Sequence, residues 1–163
     1  MSRNIPQGFS PPGEAQSPIT IAQPVSWANV DAYGHVNNAV YLSWIENARF
    51  AYFERIGLNA HHVNTGQGPI LARTEIDYRC PVDFPDELLV SARTMAIGNS
   101  SFTMQSRVWS TTSQRICAEA KAVIVLVDYR SDGAAVRVPE VIRAAMRALD
   151  GPDIETREMD SNG

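Results

Sequence analysis

The chain has 163 residues, the length of one domain, and is long enough to bury a hydrophobic core without disulfide bonds. Its apolar fraction of 44% and its charged fraction of 20% are ordinary for globular proteins and argue against the disordered and membrane classes. The net charge of −4, with Lys121 as the sole lysine and with scattered arginines, forms no basic patch, so nucleic acid is not an expected partner.

The ends of the chain are polar and show little hydrophobic periodicity. Residues 1–17 are rich in proline and glycine and are predicted to form a flexible arm, and residues 151–163 a flexible tail. The arm lacks the basic start and apolar stretch of a secretory signal, which favours a cytoplasmic protein without membrane association. The folded domain is therefore predicted at residues 18–150.

The first half of this domain predicts one strand and one long helix. The β-branched and aromatic residues from Ile19 to Trp27 are typical of a strand, in which Pro24 is tolerated at an edge or a bulge. A helix is predicted from Ala39 to Ile56, with an asparagine cap before it and Gly57 after it. Apolar residues cover much more than one stripe of this helix, so we expect other elements to surround it.

The second half has the period-two hydrophobic pattern of β-strands. Long strands are predicted at residues 70–79, 87–97, 102–108 and 115–128, and a short strand at residues 136–138. Pro139 fits the first position of a final helix that runs to about Leu149. Because Cys80 and Cys117 lie in strand-like contexts without Cys-x-x-Cys spacing, we expect buried free thiols rather than a disulfide framework or a zinc site.

This order of elements predicts an α+β fold in which one antiparallel sheet covers one long helix. The alternating residues on the other face of the sheet, including Arg73, Glu75, Glu119 and Lys121, must meet solvent or another subunit. The sheet edges also need to be covered. Association of several copies is therefore expected.

The loop before the long helix carries the residues best suited to chemistry. Asp31 precedes Gly34, His35 and the pair Asn37-Asn38 in a tight connection that leads into the helix start. The first N–H groups of a helix lack internal partners, so they can polarise a carbonyl and stabilise the oxyanion formed when it is attacked. A carboxylate nearby can attack that carbonyl or activate water. These residues alone do not distinguish a thioester from an ester.

The segment DAYGHVNNAVY, from Asp31 to Tyr41, is followed by Glu46-Asn-Ala-Arg49. These motifs resemble the hotdog acyl-CoA thioesterases of the 4-hydroxybenzoyl-CoA thioesterase type. The resemblance extends from about Ile19 to Leu149 and includes the family's long strand ending in Tyr-Arg-x-Pro, here Tyr78, Arg79 and Pro81.

The resemblance implies the hotdog fold, an antiparallel β-sheet wrapped around a long central α-helix. It also implies a homodimer, or a dimer of dimers that forms a homotetramer, with active sites at the subunit interface. Asp31 is then the expected catalytic carboxylate, and the helix start near Asn38 is expected to polarise the thioester carbonyl. No metal or other cofactor is implied, and the residues expected to bind the acyl-CoA substrate are Gly34, His35, Val36, Asn37, Tyr41 and Arg79.

One position departs from the pattern of the family. Many relatives carry a second acid two residues before the catalytic one, where this chain has Asn29. The change weakens any mechanism with two cooperating carboxylates. It also removes a like charge that would raise the pKa of Asp31.

Structural explanations compete with the catalytic ones in this segment. Asp31 is favoured in tight turns through local hydrogen bonds, although the helix start and the resemblance favour catalysis. His35 is expected to fix the loop rather than to act as a base.

Other polar residues are expected to be structural. Glu46 and Arg49 lie on adjacent helical turns and are expected to pair. His61 and His62 are adjacent in sequence and lack the spacing of metal ligands on a helix, so no metal site is expected there.

The sequence therefore predicts an acyl-CoA thioesterase that releases a free carboxylic acid and CoA, with Asp31 as nucleophile or general base. A thioester of acyl carrier protein is a further possible substrate. The alternatives are a hotdog enoyl-thioester hydratase or dehydratase, and a non-catalytic hotdog protein that binds acyl thioesters. The spacing from Asp31 to His35 argues against the hydratase, and the intact Asp31 argues against the non-catalytic protein.

Overall fold

The computed structural model describes residues 17–151 and 154–156 of the chain. Residues 1–16 of the predicted arm and most of the predicted tail lie outside these residues. Its elements in chain order are β1 (Ile19–Pro24), a 3-10 helix (Trp27–Asn29), α1 (Asn38–Arg55), α2 (Leu58–Thr65), β2 (Gln67–Tyr78), β3 (Glu87–Ile97), β4 (Ser101–Ser110), β5 (Arg115–Asp128), β6 (Ala134–Ala135), α3 (Glu140–Asp150) and β7 (Glu155–Thr156). None of these helices is long and apolar enough to cross a membrane.

The strands form one sheet in the order β1, β3, β4, β5, β2, with the short strand β6 on β5 and β7 on β3. β1 is antiparallel to β3, from Ile19 opposite Ala92 to Pro24 opposite Glu87. The predicted strands at 87–97 and 115–128 match β3 and β5. The order places β1 and β2 at the two ends of the strand path.

Two predicted strand boundaries were wrong for local reasons. β1 ends at Pro24 instead of Trp27, because Ser26 caps the 3-10 helix that follows. The short strand is Ala134–Ala135 instead of 136–138, because the Val138 N–H donates to Asn99 O, outside any strand pairing, at 2.9 Å. Part of the predicted flexible tail, Glu155–Thr156, pairs in parallel with Ala96 and Ile97 of β3.

The α2 helix was not predicted. Its sequence LNAHHVNT is mostly polar, and Leu58 is its buried residue. A short helix with a single buried side chain has no hydrophobic periodicity to detect. Gly57, predicted to end the long helix, does so with a φ of 78° and also precedes the first residue of α2.

The chain divides into two compact units. The first contains residues up to Ala51 together with Ile76–Arg93 and Gln105–Ala120. Residues of α1 and of the strands form the apolar core of this unit. Most of these core residues are large aromatic or β-branched residues. The core of this unit includes Tyr41, Trp44, Ile45, Val82, Leu88, Val90, Val108 and Cys117.

The second unit contains Tyr52–Glu75, Thr94–Met104 and residues from Lys121 onward. Its apolar core includes Phe53, Ile56, Leu58, Ile97, Phe102, Met104, Ile124, Leu126, Ile142 and Met146. Phe53 and Phe102 meet edge to face at a centroid distance of 6.1 Å, an arrangement that aromatic pairs favour. The guanidinium of Arg143, also buried, donates to the carbonyls of Val138, Gly98 and Asn99 and so holds the turn between β3 and β4.

A buried polar network in the second unit centres on Tyr52, whose side chain is inaccessible to solvent. Its hydroxyl donates to the carboxylate of Asp150 at 2.5 Å and accepts from the hydroxyl of Thr94 at 2.7 Å. The Thr94 N–H donates to the same carboxylate at 3.1 Å. The network joins the C-terminal end of α3 to β3.

We predict that Tyr52→Phe lowers the free energy of unfolding by about 1–3 kcal/mol, because it removes one hydroxyl that bridges two buried polar groups. Urea denaturation followed by circular dichroism measures this loss. Tyr129→Phe is the matched control, because its half-exposed hydroxyl donates to Pro69 O and water can replace it. Equal losses in the two variants would contradict the role of the buried network.

Candidate active site

Asp31 lies in a short hairpin-like loop before α1. Val30 forms an antiparallel bridge with Val36, and the Asp31 N–H donates to His35 O at 2.8 Å. The Asp31 carboxylate accepts from the Tyr33 N–H at 2.8 Å, which is the local turn contact that aspartate favours. Within residues 17–151 and 154–156, the Asp31 carboxylate makes no other hydrogen bond.

Gly34 closes the turn. Its N–H donates to Asp31 O at 3.1 Å, and its φ of 86° is in the left-handed region that favours glycine. A Cβ at this position would meet no atom within 4 Å. The backbone conformation, and not a lack of space, therefore accounts for a glycine here.

The start of α1 is capped by Asn37 and not by Asn38. The Asn37 side chain accepts from the Ala39 N–H at 2.9 Å, and its carbonyl accepts from the Val40 N–H at 3.0 Å. Asn38 is the exposed first residue of the helix, and nothing in the described part of the chain accepts a hydrogen bond from its backbone N–H. The helix start therefore has one N–H group available to a ligand.

Asn29 fixes the other arm of the loop. Its side-chain oxygen accepts from the N–H of Ser26 at 2.8 Å and from the Ser26 hydroxyl at 2.9 Å. Its carbonyl accepts from the Asn37 N–H at 2.9 Å, which ties the 3-10 helix to the start of α1. Asn29 therefore has a structural role.

His35 and Val36 attach the loop to the segment after β2. The Val36 N–H donates to Val82 O at 2.8 Å, and the Val36 side chain is buried. The exposed His35 ring lies 3.6 Å from the carboxylate of Asp83. His35 thus holds the loop through its backbone carbonyl and has an acidic neighbour at the surface. Asp83 was not predicted, because it lies in an irregular segment without periodicity.

Tyr41 lies in the core of the first unit, in contact with the rings of Trp44 and Tyr78. Burial raises the pKa of the Tyr41 hydroxyl above its ordinary value, and the nearby thiols of Cys117 and Cys80 act in the same direction. This hydroxyl therefore stays neutral and can donate a hydrogen bond at physiological pH. Its expected contact with substrate remains a prediction.

Tyr78 supports the helix start. Its hydroxyl donates to Asn38 O at 2.8 Å, and desolvation raises the pKa of this hydroxyl. The last residue of β2 is thereby joined to the first residue of α1. The sequence motif included Tyr78, but this contact was not predicted.

Arg79 belongs to a surface network of ion pairs. Its guanidinium lies 3.1 Å from the carboxylate of Glu119 and 3.6 Å from that of Asp77. Glu119 also accepts from Arg107 at 3.0 Å. A role of Arg79 in substrate binding remains a prediction, and its charge is already balanced by two acids.

The predicted pair on α1 is confirmed. The carboxylate of Glu46 lies 3.7 Å from the guanidinium of Arg49, one helical turn away. Burial lowers the pKa of Arg49 below its ordinary value, while the charge of Glu46 acts in the opposite direction.

The two adjacent histidines have separate partners. His61 contacts the side chain of Gln67 at 3.1 Å, and His62 packs edge to face against Tyr129. Within residues 17–151 and 154–156, no group of three or more histidine, cysteine, aspartate or glutamate side chains is arranged to hold a metal ion.

Comparisons with known proteins agree with this architecture. A model of the thioesterase-like superfamily matches residues 25–146. The crystal structure of a thioesterase from Thermus thermophilus, complexed with coenzyme A and Zn, has a TM-score of 0.72 and 34% identity, covering 82% of this chain and 95% of that one.

Several curated relatives have thioesterase names, including the following two. An acyl-acyl carrier protein thioesterase from the chloroplast of Arabidopsis thaliana is 28% identical over 118 residues, 71% of this chain and 60% of the relative. The long-chain acyl-CoA thioesterase FadM of Escherichia coli (strain K12) is 24% identical over 110 residues, 65% of this chain and 80% of the relative.

The sheet, the long helix and the structural likeness define a hotdog fold, as predicted. The family model spans most of the folded domain, and the chain belongs to the thioesterase-like superfamily. The chain spans 60% of the length of the Arabidopsis relative. The 4-hydroxybenzoyl-CoA thioesterase type, which the sequence suggested, stays a prediction.

We predict that Asn37→Ala lowers the free energy of unfolding by about 1 kcal/mol, because it removes the side-chain cap of α1. Asn37→Asp keeps an acceptor for the Ala39 N–H and should remain close to the parent. Asn38→Ala is the control, since its side chain caps nothing. Thermal denaturation of the three variants shows which asparagine caps α1. A larger loss of stability in Asn38→Ala than in Asn37→Ala would assign the cap to Asn38 instead.

Proposed function

We propose that this chain is an acyl-CoA thioesterase that uses Asp31 as a nucleophile or general base. The observation that carries the proposal is the antiparallel pairing of residues 29–31 with residues 35–37. This pairing puts the Asp31 turn on the loop that leads into α1, where the Asn38 N–H is available. A negative group and a hydrogen-bond donor are the two features that attack on a carbonyl requires.

In the proposed reaction, the helix start binds the thioester carbonyl oxygen and stabilises the negative charge that develops on it. Asp31 either attacks the carbonyl carbon and expels the CoA thiolate, giving an anhydride that water hydrolyses, or removes a proton from an attacking water. Both routes yield a carboxylic acid and CoA. The loop residues Gly34, His35, Val36 and Asn37 are proposed to contact the substrate, as are Tyr41 and Arg79.

The names of the relatives support thioester hydrolysis as the reaction. They differ in the thiol that carries the acyl group. The Thermus thermophilus protein was crystallised with coenzyme A, whereas the Arabidopsis relative is named for acyl carrier protein. A thiol-release assay on matched acyl-CoA and acyl carrier protein substrates of several acyl lengths tests both. We expect release from acyl-CoA. Absence of thiol release from every substrate would overturn the proposed function, and a change in enoyl absorbance without thiol release would indicate a hydratase.

We predict that Asp31→Asn lowers turnover of acyl-CoA by roughly 10²–10⁴-fold with little change in folding. The asparagine oxygen can still accept from the Tyr33 N–H, so the turn survives while the charge is lost. The measurement is the thiol-release assay with circular dichroism on the same preparation.

Asp132→Asn is the matched control for this variant. Asp132 is exposed, has a φ of 53° that asparagine also tolerates, and lies in a different turn. Its turnover should equal that of the parent. A folded Asp31→Asn protein with near-parental turnover would exclude the proposed role of Asp31.

We propose that the protein is a homodimer, with a dimer of dimers as the larger form. The support comes from β2, which ends the strand path and is exposed at every residue from 70 to 75. Successive side chains of a strand alternate between faces, so both faces of β2 are uncovered there. Ile70 and Leu71 are apolar and 40% and 43% exposed, which favours a second copy on this edge.

We predict that light scattering gives at least a dimer for the parent protein, and that Leu71→Asp shifts it toward the monomer because a charge is then buried in the contact. Val141→Asp is the control, because Val141 is 70% exposed on α3, away from the β2 edge in sequence. A monomeric parent with full activity would rule out the dimer.

The cytoplasmic location remains a proposal from the sequence.

A further inference from the structure

The sulfur atoms of Cys80 and Cys117 are 2.8 Å apart, although both cysteines are free thiols. This separation is roughly 0.8 Å longer than the disulfide bond length of about 2.05 Å. The Cys80 thiol donates to the Cys117 sulfur, so the two side chains point toward each other. A small side-chain movement is enough to bring the sulfurs to bonding distance.

The backbone holds the two residues side by side. The N–H groups of Arg79 and Cys80 both donate to Cys117 O, at 2.7 and 3.3 Å. A disulfide requires two cysteines whose backbones are already close to each other. The hydrogen bonds to Cys117 O meet this requirement, so a bridge between Cys80 and Cys117 needs no change of fold.

The two thiols differ in access to solvent. Cys80 is half-buried, whereas Cys117 is fully buried in the core. Burial raises the pKa of the Cys117 thiol to about 12. A dissolved oxidant therefore meets Cys80 first, and Cys117 stays protected until it reacts with Cys80.

We propose that Cys80 and Cys117 are a redox modification site that closes reversibly to an intramolecular disulfide. The oxidant is a low-molecular-weight disulfide of the glutathione class. The Cys80 thiolate attacks one sulfur of this oxidant and releases one thiol, which leaves a mixed disulfide on Cys80. Cys117 then loses its proton, attacks the Cys80 sulfur and releases the second thiol. The protein loses two electrons and two protons, and the oxidant becomes two thiols.

The site adjoins the loop that carries Asp31. Pro81 alone separates Cys80 from Val82, whose carbonyl accepts from the Val36 N–H. A bond at Cys80 thus tethers to β5 a segment that braces the loop.

The test treats the native parent protein with glutathione disulfide, then denatures it, alkylates the remaining thiols and measures the intact mass. We expect the loss of two hydrogen atoms, no alkylation, a monomeric band on a non-reducing gel, and recovery of both thiols with dithiothreitol. Because a cross-link restricts the unfolded chain, the melting temperature of the oxidised protein should rise by several degrees.

Two variants separate the steps. Cys117→Ala should stop with one glutathionyl group on Cys80, because no resolving thiol remains. Cys80→Ser should keep its single thiol unmodified, because Cys117 is buried. If a variant does not fold, the intact mass of the oxidised parent protein is sufficient to test the proposal. Two alkylated cysteines in the parent after oxidation, a stable mixed disulfide, or cross-links only between chains would each overturn it.

Discussion

The candidate site depends on a short stretch of backbone pairing before α1. The Val30–Val36 bridge and the bond from the Asn37 N–H to Asn29 O determine where the Asp31 turn lies relative to the helix start. Backbone bonds of this kind are insensitive to side-chain identity, so the loop keeps its shape while its side chains remain free for chemistry. Asn29 belongs to this scaffold through both its side chain and its carbonyl.

The residues around this loop divide into supports and surface groups. Val36 and Tyr41 are buried and hold the loop and the helix through packing, and the Val36 N–H also donates to Val82 O. His35 and Arg79 are exposed enough to meet a ligand, but each already has an acidic neighbour. A negatively charged substrate such as a CoA ester would have to compete with Asp83 and Glu119 for these two side chains. Within the described residues, no group accepts a hydrogen bond from the Asn38 N–H, so a carbonyl oxygen at the helix start would meet no such competitor.

Strong periodicity made much of the fold predictable from the sequence. β3, β5 and α1 are long and have regular apolar patterns, so their bounds were correct to within a residue at most ends. α2 was missed because one buried side chain leaves no pattern, and β6 was misplaced because both of its residues are exposed. At the site, the motif indicated Asp31 and the asparagine cap, but the choice between Asn37 and Asn38 and the contact from Tyr78 to Asn38 O depend on three-dimensional geometry.

The hydrogen bond from the Tyr78 hydroxyl to Asn38 O connects β2 directly to the start of α1. The strand that we propose as the contact between copies also carries, at its last residue, the hydroxyl that holds the first carbonyl of α1. Any ordering of this strand by a second copy would therefore be transmitted to the helix start through one hydrogen bond. If the proposed function and dimer are correct, the specific activity per chain would fall on dilution. The monomer would then be the less competent catalyst, even though it contains Asp31 and the complete loop.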